Sequence, residues 1–589
     1  MDSTLDQAGT AATRSQQGKI IGVTGNLITV DFSGSVIQGE VAYVITPEAK
    51  LKSEVLRISG KTADLQVFED TTGLRVGDIV DFTGELLVAE LGPGLLGKVF
   101  DGLQNPLPEL AEASGTFLQR GVEMPALSRT SRWQFNPVAG VGDRLLGGDP
   151  IGTVTEGVFS HSIMVPFHVN QRCTVRQISG PGAFAVDDTI AILELGNGSE
   201  LEVSMCQRWP VKLPVMQYAE RLRARDPLVT QVRIIDTLFP VARGGTYCIP
   251  GPFGAGKTVL AQLMSRHAEV DIVVIAACGE RAGEVVETLR EFPEIEDPLT
   301  GRSLMERTVI ICNTSSMPVA ARETSVYMAV TIAEYYRQMG LHVLLLADST
   351  SRWAQSLRET SGRLEEIPGE EAFPAYLESV IASFYERGGL VRLRDGSTGS
   401  VTIGGTVSPA GGNFEEPVTQ STLKVAGAFL GLSRERSDAR RYPAIDPLES
   451  WSKYDGVVPV EQVDNAKKIL RNGHEIGQMM KVVGEEGTSL DEFIEFLKAE
   501  FLDAVYLQQD AFHEVDSATP ADRQSHVFEK ITSILTTELG FHDKDRARFF
   551  FQNLTQSAKD WNRVSMEEEE FKAIESQIDE LVAEACLDA

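Results

Sequence analysis

The sequence predicts a multidomain protein with an N-terminal β-barrel, a β-rich insert, a central P-loop α/β nucleotide-binding domain and a C-terminal α-helical domain. This prediction depends on short strand-like runs up to Val80, on strands that alternate with helix-length segments in the middle, and on helical spacing after Val460. A chain of 589 residues is also too long for one hydrophobic core, so it should form about three or four domains.

Strand and turn signals dominate the N-terminal part of the chain. Residues 1–17 are polar and lack the apolar stretch of a signal peptide, so we expect a flexible leader. Residues 18–86 alternate between apolar and polar side chains around glycine turns, which predicts the barrel. From residue 106 to about residue 200 the chain is rich in Gly and Pro and has almost no helical periodicity. We therefore expect the β-rich insert at residues 111–200.

The remaining segments predict an α/β domain followed by helices. The nucleotide-binding domain is expected at residues 87–110 and 201–454, where strands alternate with helix-length segments. Short apolar runs are candidates for its buried strands: residues 272–277, 308–312 and 343–347. Residues 455–589 are expected to be helical, with the acidic run 567–570 as a solvated helix face.

The most specific motif is G-x-x-x-x-G-K-T, which runs from Gly251 to Thr258 between a strand-like and a helix-like stretch. Its glycines let backbone N–H groups turn toward a polyphosphate, Lys257 places a cation on the β and γ oxygens, and Thr258 can ligate Mg²⁺. The residues expected around the phosphates are Gly251, Pro252, Phe253, Gly254, Ala255, Gly256, Lys257, Thr258 and Val259. The motif therefore predicts binding of a nucleoside triphosphate.

Two further segments place charged groups at the ends of predicted strands. The apolar run 343–347 ends in Asp348, where a carboxylate would hold Mg²⁺ or its water. The strand 272–277 leads into Glu280 and Arg281, a carboxylate that can orient an attacking water and a guanidinium that can hold phosphate oxygens. A surface ion pair that caps the following helix is an equally good interpretation of the last two residues.

Composition excludes several classes of protein. The formal net charge of −30 repels polyanions and argues against nucleic acid as the main partner. No apolar run approaches the ~20 residues needed to cross a bilayer, so we expect a soluble, cytoplasmic protein. The six cysteines are scattered, without a C-x-x-C pair or a His spacing suited to zinc, and buried reduced thiols are expected.

Additional motifs resemble a known family. The run P-A-I-D-P-L-E-S-W-S, residues 443–452, fits the signature P-[SAP]-[LIV]-[DNH]-x-x-x-S-x-S of the rotary ATPase α/β family. The P-loop resembles the G-x-F-G-x-G-K-T loop of the catalytic A subunits of V-type and archaeal-type ATPases, whose nucleotide-binding domain is RecA-like. Other segments match the same subunits: residues 117–135, 313–323, 348–354, 367–377 and 506–516. The insert is typical of this branch as well, because F-type β subunits lack it.

The resemblance implies a role for each matching residue in the reaction. Lys257 and Thr258 would bind phosphate and Mg²⁺, and Asp348 would be the Walker-B carboxylate that holds the same ion. Glu280 would polarise the hydrolytic water, and Arg281 would contact phosphate.

The resemblance also implies where adenine stacks. Tyr442, just before the family signature, is similar to the aromatic residue that contacts the base. Phe429 is a second candidate, for which packing in the core is an equal alternative. Stacking contributes roughly 1 kcal/mol beyond burial, which favours a purine without distinguishing adenine from guanine.

The activity and partners implied by the resemblance are those of a rotary motor. ATP would be hydrolysed to ADP, or synthesised from it, in a hexamer of A chains that alternate with non-catalytic B subunits. The B subunit would supply an arginine finger, a group that raises the rate of hydrolysis by roughly 10³- to 10⁵-fold. Central-stalk subunits (D/F-type) and peripheral-stalk subunits (E/G-type) would link the ring to a membrane rotor that carries H⁺ or Na⁺. The chain would then lie on the inner face of a membrane through the assembled complex.

Other interpretations come from different functional classes. A homohexameric protein-export ATPase shares the core but usually lacks the long insert. A non-catalytic nucleotide-binding subunit should lack the intact set of Lys257, Glu280 and Asp348, which this chain keeps. A ring-shaped RNA translocase is disfavoured by the net charge of −30 and by the absence of a basic, aromatic-rich N-terminal fold.

Overall fold

The computed structural model describes residues 16–115, 119–298, 300–315 and 317–587. The chain divides into two compact units, one formed by residues up to 223 together with 270–403, the other by residues 224–269 and 404–589. Most of the predicted leader lies outside the described residues, and its last two residues already belong to the first strand. Phe117 and Ser316, in two of the family motifs, lie outside them too.

The first unit begins with the predicted β-barrel, which is closed. Its strands lie in the order β1-β2-β5-β4-β3-β6, and every pair is antiparallel. Alternating side chains such as Val30, Val44 and Leu65 fill the interior, because successive residues of a strand point to opposite faces. The strands are β1 (Gln16–Thr24), β2 (Leu27–Phe32), β3 (Glu40–Ile45), β4 (Lys50–Ser59), β5 (Thr62–Val67) and β6 (Ile79–Leu86).

A short helix follows where none was expected. After β7 (Val88–Leu91) and β8 (Val99–Phe100), helix α1 spans Leu107–Ser114. The interpretation that residues 106 to about 200 have almost no helical periodicity therefore missed a helix at the start of this segment. Pro106 and Pro108 indicated a break, yet proline is favoured in the first turn of a helix, where its missing N–H costs nothing.

The insert is β-rich, as predicted. It forms two four-stranded sheets, in the orders β10-β13-β15-β16 and β12-β11-β9-β14, around a shared core that includes Phe135, Ile151 and Leu193. The next strand, β17, lies after the predicted end of the insert and pairs with β7. The strands are β9 (Arg132–Pro137), β10 (Arg144–Leu145), β11 (Pro150–Glu156), β12 (Phe159–Met164), β13 (Cys173–Ile178), β14 (Gly182–Ala185), β15 (Ala191–Glu194), β16 (Glu200–Val203) and β17 (Gln207–Pro210).

The next elements carry the P-loop. After β18 (Glu220–Leu222) the chain enters the second unit with α2 (Arg233–Leu238), β19 (Thr246–Pro250) and α3 (Lys257–His267). It then returns to the first unit at residue 270.

The α/β part of the first unit is built on parallel strands, and the predicted buried strands are confirmed as β20, β21 and β22. β20 lies between β21 and β22 and is parallel to both, and β21 is also parallel to β8. Helix α5 is buried along nearly its whole length, which is why its apolar pattern shows no single face. The elements are β20 (Ile272–Glu280), α4 (Ala282–Glu294), β21 (Thr308–Thr314), α5 (Val319–Arg337), β22 (His342–Asp348), α6 (Thr350–Arg363), α7 (Leu377–Tyr385), β23 (Gly389–Arg392) and β24 (Thr398–Val407).

The second unit ends in the predicted α-helical domain. A π-helical turn at Asp503–Leu507 follows α11, and residues 567–570 are exposed at the start of α14, where a helix favours negative charge. The elements are α8 (Pro417–Val425), β25 (Ala428–Phe429), α9 (Arg434–Asp438), β26 (Trp451–Ser452), α10 (Val460–Val483), α11 (Leu490–Leu502), α12 (Ala521–Thr536), α13 (Lys544–Asn562) and α14 (Glu569–Leu587).

Among the described helices, none has the length and apolar character that a bilayer crossing requires.

Four cysteines are buried and unpaired, but Cys206 is only partly buried and Cys586 is exposed, so the expectation of buried thiols was wrong for Cys586.

Close packing of α10 on α11 leads to a test of the helical domain. A Cβ atom added at Gly473 would lie 2.2 Å from the Cβ of Ala499, far inside contact distance. We expect Gly473→Val to lower the free energy of unfolding of this domain by about 1–3 kcal/mol through overpacking. Thermal unfolding followed by circular dichroism and limited proteolysis of the C-terminal region measure the effect. Glu475→Val, at an exposed position of the same helix, controls for helix propensity, and equal melting of the two variants would contradict the packing.

Candidate nucleotide-binding site and catalytic groups

The P-loop connects the end of β19 to the start of α3. Gly254 and Gly256 have φ values of 81° and 90°, in the left-handed region that glycine adopts without strain. Gly256 is the N-cap of α3, so the loop delivers the chain directly into the first helical turn. At Gly251 a Cβ atom would lie 2.6 Å from the Cβ of Leu432, which also requires glycine. The loop thus directs backbone N–H groups and a helix N-terminus toward one point, as an anion site requires.

Lys257 is the first residue of α3, and its side chain turns back over the loop. Its Nζ donates to the carbonyl oxygens of Gly251 and Pro252, at 2.8 and 2.9 Å. Thr258 follows in the first turn and is half-buried. The ammonium group is therefore already held at the loop, where phosphate oxygens can replace the carbonyl oxygens as acceptors.

A cavity of about 500 Å³ opens beside the P-loop within the second unit. Gly254, Ala255, Gly256 and Val259 line one side of it, and Tyr442 lines another. A Cβ atom at Gly256 would lie 3.8 Å from the Tyr442 ring, so the aromatic ring is adjacent to the loop. The geometry brings Tyr442 and the P-loop together, as the resemblance implies for a base-stacking residue.

Phe512 is a second aromatic residue in the wall of this cavity, and the sequence analysis missed it. Its side chain is 91% exposed, which is unusual for phenylalanine and fits a surface that an apolar ligand covers. The motif at residues 506–516 contained this residue, but it served only to identify the family. The signal in the sequence that could have identified Phe512 is the presence of an aromatic residue inside a polar segment.

Phe429 lies elsewhere. It is 4% exposed, and its ring is parallel to that of Trp451 at 6.2 Å and perpendicular to that of Phe414 at 5.5 Å. It is not among the residues that line the cavity. These contacts are those of a core residue, the alternative that the sequence left open.

The segment before Tyr442 is held by one carboxylate of the π-helical turn. Asp503 accepts a hydrogen bond from Arg436 at 2.8 Å and another from Arg441 at 2.5 Å. Arg441 also pairs with Glu500 at 2.9 Å. Asp503 is 4% exposed, so these ion pairs lie in a shielded environment, and they fix the loop between α9 and Tyr442 to the helical domain.

In the first unit, the ends of the parallel strands gather the predicted catalytic carboxylates. The register of β20 on β22 places Ala277 opposite Asp348, three residues before Glu280. Burial, followed by the negative charge of Asp348 and a hydrogen bond with Glu284, raises the pKa of Glu280 to about 8. The two carboxylates are therefore close enough to interact, and Glu280 is a stronger base than a free carboxylate.

Arginine side chains surround this strand end. Nε of Arg352 lies 3.8 Å from Oε1 of Glu280. Gly279 has a φ of 72°, and a Cβ there would lie 2.9 Å from Nε of Arg322 and 3.1 Å from Cδ of Arg352. Arg281 is exposed at the N-cap of α4. The sequence analysis named Arg281 alone; Arg322 and Arg352 lay inside motifs at residues 313–323 and 348–354, and nothing in their spacing pointed to Glu280.

Family models match four parts of the chain. The ATP synthase alpha/beta family beta-barrel domain matches residues 20–84, and the barrel-sandwich domain of the alpha/beta subunits matches residues 124–212. The nucleotide-binding domain of the ATP synthase alpha/beta family matches residues 231–452. The C-terminal domain of V and A type ATP synthase matches residues 460–540.

Curated proteins match along nearly the whole length. The V-type ATP synthase alpha chain of Treponema denticola is 63% identical over 568 residues, 96% of each chain. The V-type ATP synthase alpha chain 1 of Treponema pallidum is 62% identical over 95% of each chain. The V-type ATP synthase alpha chain of Borrelia garinii subsp. bavariensis is 59% identical over 96% of this chain and 98% of that one.

A solved structure shows the same fold at lower similarity. The ATPase EscN of the type III secretion system of enteropathogenic E. coli aligns with a TM-score of 0.62 at 21% identity, over 87% of this chain and all of that one. From the family models and the identities above, the chain belongs to the ATP synthase alpha/beta family, in the branch of the V-type ATP synthase alpha chains.

Proposed function

We propose that the chain is the catalytic subunit of a rotary V-type ATPase, which hydrolyses or synthesises ATP. The observation that carries this proposal is an intact P-loop with both Glu280 and Asp348, in a chain 63% identical to a V-type ATP synthase alpha chain. The alternative function is that of a protein-export ATPase. The solved secretion ATPase EscN shares the fold of this chain, but at only 21% identity.

The nucleotide would lie with its phosphates on the P-loop and its base in the adjoining cavity. Backbone N–H groups of residues 251–259 and the Lys257 ammonium would bind the phosphates. Tyr442 and Phe512 would contact the base, since both line the cavity beside the loop. This arrangement needs only residues of the second unit.

Mg²⁺ fits the residue types that the family implies as its ligands. The Thr258 hydroxyl and the Asp348 carboxylate are the oxygen donors that Mg²⁺ prefers. When bound, the ion would neutralise negative charge on the β and γ phosphates. Lys257 would hold the γ-phosphate by its charge, whether or not the ion is present.

Glu280 would take the proton of the attacking water. A general base works best when its pKa is close to the operating pH, and burial beside Asp348 raises the pKa of Glu280 toward that range. Arg281 would contact phosphate oxygens, and Arg352 lies beside Glu280 and can orient its carboxylate.

Glu280→Gln tests the role of the base. The amide is isosteric and cannot accept the proton, so we expect MgATP binding within about twofold of wild type and a loss of turnover of roughly 10² to 10⁴. Steady-state hydrolysis and calorimetric binding measure the two quantities. Glu287→Gln, at an exposed position of α4, should leave turnover unchanged. Near-normal turnover of Glu280→Gln would remove Glu280 from the mechanism.

Tyr442→Ala tests the base-stacking role. Loss of one aromatic face against a base costs roughly 1–3 kcal/mol, so we expect the Kd for ATP to rise about 5- to 150-fold. Tyr442→Phe keeps the ring and should bind nearly as wild type. An unchanged Kd in Tyr442→Ala would place the base outside this cavity.

The partners follow from the family rather than from this chain alone. A non-catalytic B subunit would alternate with this chain in a hexameric ring and supply the arginine finger. Central-stalk (D/F-type) and peripheral-stalk (E/G-type) subunits would connect the ring to a membrane sector that moves H⁺ or Na⁺.

Assembly with the B subunit tests the shared site. We expect low turnover from the purified chain and a rise of roughly 10³-fold or more when a mixed A/B hexamer forms, because an arginine finger has about that effect. Turnover is measured while native mass spectrometry follows the assembly. Full activity as a homo-oligomer would contradict the rotary assignment and favour the protein-export ATPase.

A further inference from the structure

The cavity beside the P-loop contains three side-chain amides, and two of them are already engaged. Oε1 of Gln509 accepts from the backbone N–H of Arg233 at 2.9 Å, and its Nε2 donates to the carbonyl of Gln231 at 3.0 Å. Nδ2 of Asn562 donates to the carbonyl of Val505 at 2.5 Å. These two amides hold the wall together, which leaves them poorly placed to contact a ligand.

Gln508 differs from both. It lines the cavity and is half-buried, and its side-chain amide has no hydrogen-bond partner in the part of the chain that the structure describes. Its backbone is fixed on both sides: its N–H donates to the carbonyl of Asp503 at 3.1 Å, and its carbonyl accepts from Nη2 of Arg233 at 2.6 Å. The backbone that carries this side chain is therefore fixed, and within the described residues the amide keeps its Nε2 donor and its Oε1 acceptor available for a ligand.

Arg233 holds the backbone of Gln508 in place. Its guanidinium is buried, donates to Oδ1 of Asp516 at 2.5 Å and to the carbonyl of Tyr506 at 3.0 Å, and so spans both ends of the segment 506–516. The backbone N–H of Gln509 donates to the carbonyl of Tyr442 at 2.9 Å. Gln508 and the base-stacking residue are therefore parts of one hydrogen-bonded wall.

Aromatic stacking leaves the choice of purine open. Tyr442 and Phe512 offer apolar faces, and adenine and guanine stack on such faces with similar strength. A donor and an acceptor side by side distinguish the two bases: adenine presents an N7 acceptor next to an N6 amino donor, whereas guanine presents N7 and O6, both acceptors. A glutamine amide matches the adenine pattern.

We propose that Gln508 is the specificity-determining residue for the base: its Nε2 donates to N7 of adenine and its Oε1 accepts from the N6 amino group. This assignment deepens the proposed function and depends on it. A bidentate contact of this kind discriminates between bases by roughly 5- to 150-fold, so the site prefers ATP over GTP by an amount in that range.

Calorimetric titration of the full-length chain with ATP, GTP and 7-deaza-ATP in Mg²⁺ buffer tests the proposal. In wild type we expect GTP and 7-deaza-ATP, which lacks the N7 acceptor, each to bind roughly tenfold more weakly than ATP. In Gln508→Leu we expect ATP to weaken by about the same factor and all three nucleotides to bind with similar Kd. Gln552→Leu, at an exposed position of α13, is the matched control and should bind as wild type.

The outcomes separate this inference from the proposed function. Equal binding of ATP, GTP and 7-deaza-ATP by wild type would overturn the role of Gln508 without any variant, so a poorly folded Gln508→Leu cannot obscure the result. An unchanged ratio of ATP to GTP affinity in a folded Gln508→Leu would overturn it as well. If wild type does not bind ATP, or if Lys257→Ala binds ATP as tightly as wild type, the proposed nucleotide site itself is refuted. If ATP binding depends on Lys257 but not on Gln508, only the specificity role of Gln508 is refuted.

Discussion

Parallel pairing of β20 with β21 and β22 is the constraint that brings the predicted catalytic carboxylates together. Parallel strands end at a common edge, so the residues that follow them meet there whatever their separation in sequence. Glu280 and Asp348 are 68 residues apart along the chain, yet the register that joins Ala277 to Asp348 brings their charges into interaction. A shift of this register would separate the carboxylates and lower the basicity of Glu280.

The parts of the structure that the sequence predicted are those with local causes. The P-loop, the buried strands and the closed barrel depend on glycine placement and on apolar spacing over a few residues, which can be recognised in the chain itself. Helix α1 was missed because proline breaks a helix at most positions but favours its first turn. The strand β1 also extended two residues into the predicted leader.

The parts that the sequence could not predict depend on contacts between distant segments. Phe512 lines the cavity beside the P-loop, and its segment is fixed through Asp516 by Arg233, which is more than 270 residues away in sequence. Arg352 approaches Glu280 because glycine at 279 leaves room, a contact with no sequence spacing to reveal it. Phe429 and Tyr442 are both candidate stacking residues in the sequence, and they are distinguished by the packing of Phe429 on Trp451 and by the position of Tyr442 in the cavity beside the P-loop.

Buried and exposed charged side chains have different roles in this acidic chain. Several buried arginines are matched by carboxylates, as with Arg233 and Asp516 or Arg387 and Glu334, both at 2.5 Å. An unmatched buried charge costs several kcal/mol, so these pairs fix the relative positions of the segments that carry them. The net charge of −30 therefore resides mostly on the surface, where solvent screens it.

The double ion pair at Asp503 has a mechanical consequence. Helix α11 ends one residue before Asp503, and its other end lies about 20 Å away at the turn from α10, since 13 residues rise 1.5 Å each. Because Arg436 and Arg441 join Asp503 to the loop before Tyr442, a displacement of that loop acts on α11 at this end of the helix. A tilt of α11 by about 10° around Asp503 would move its far end by roughly 3 to 4 Å, so a small displacement of this loop becomes a larger one at the turn from α10.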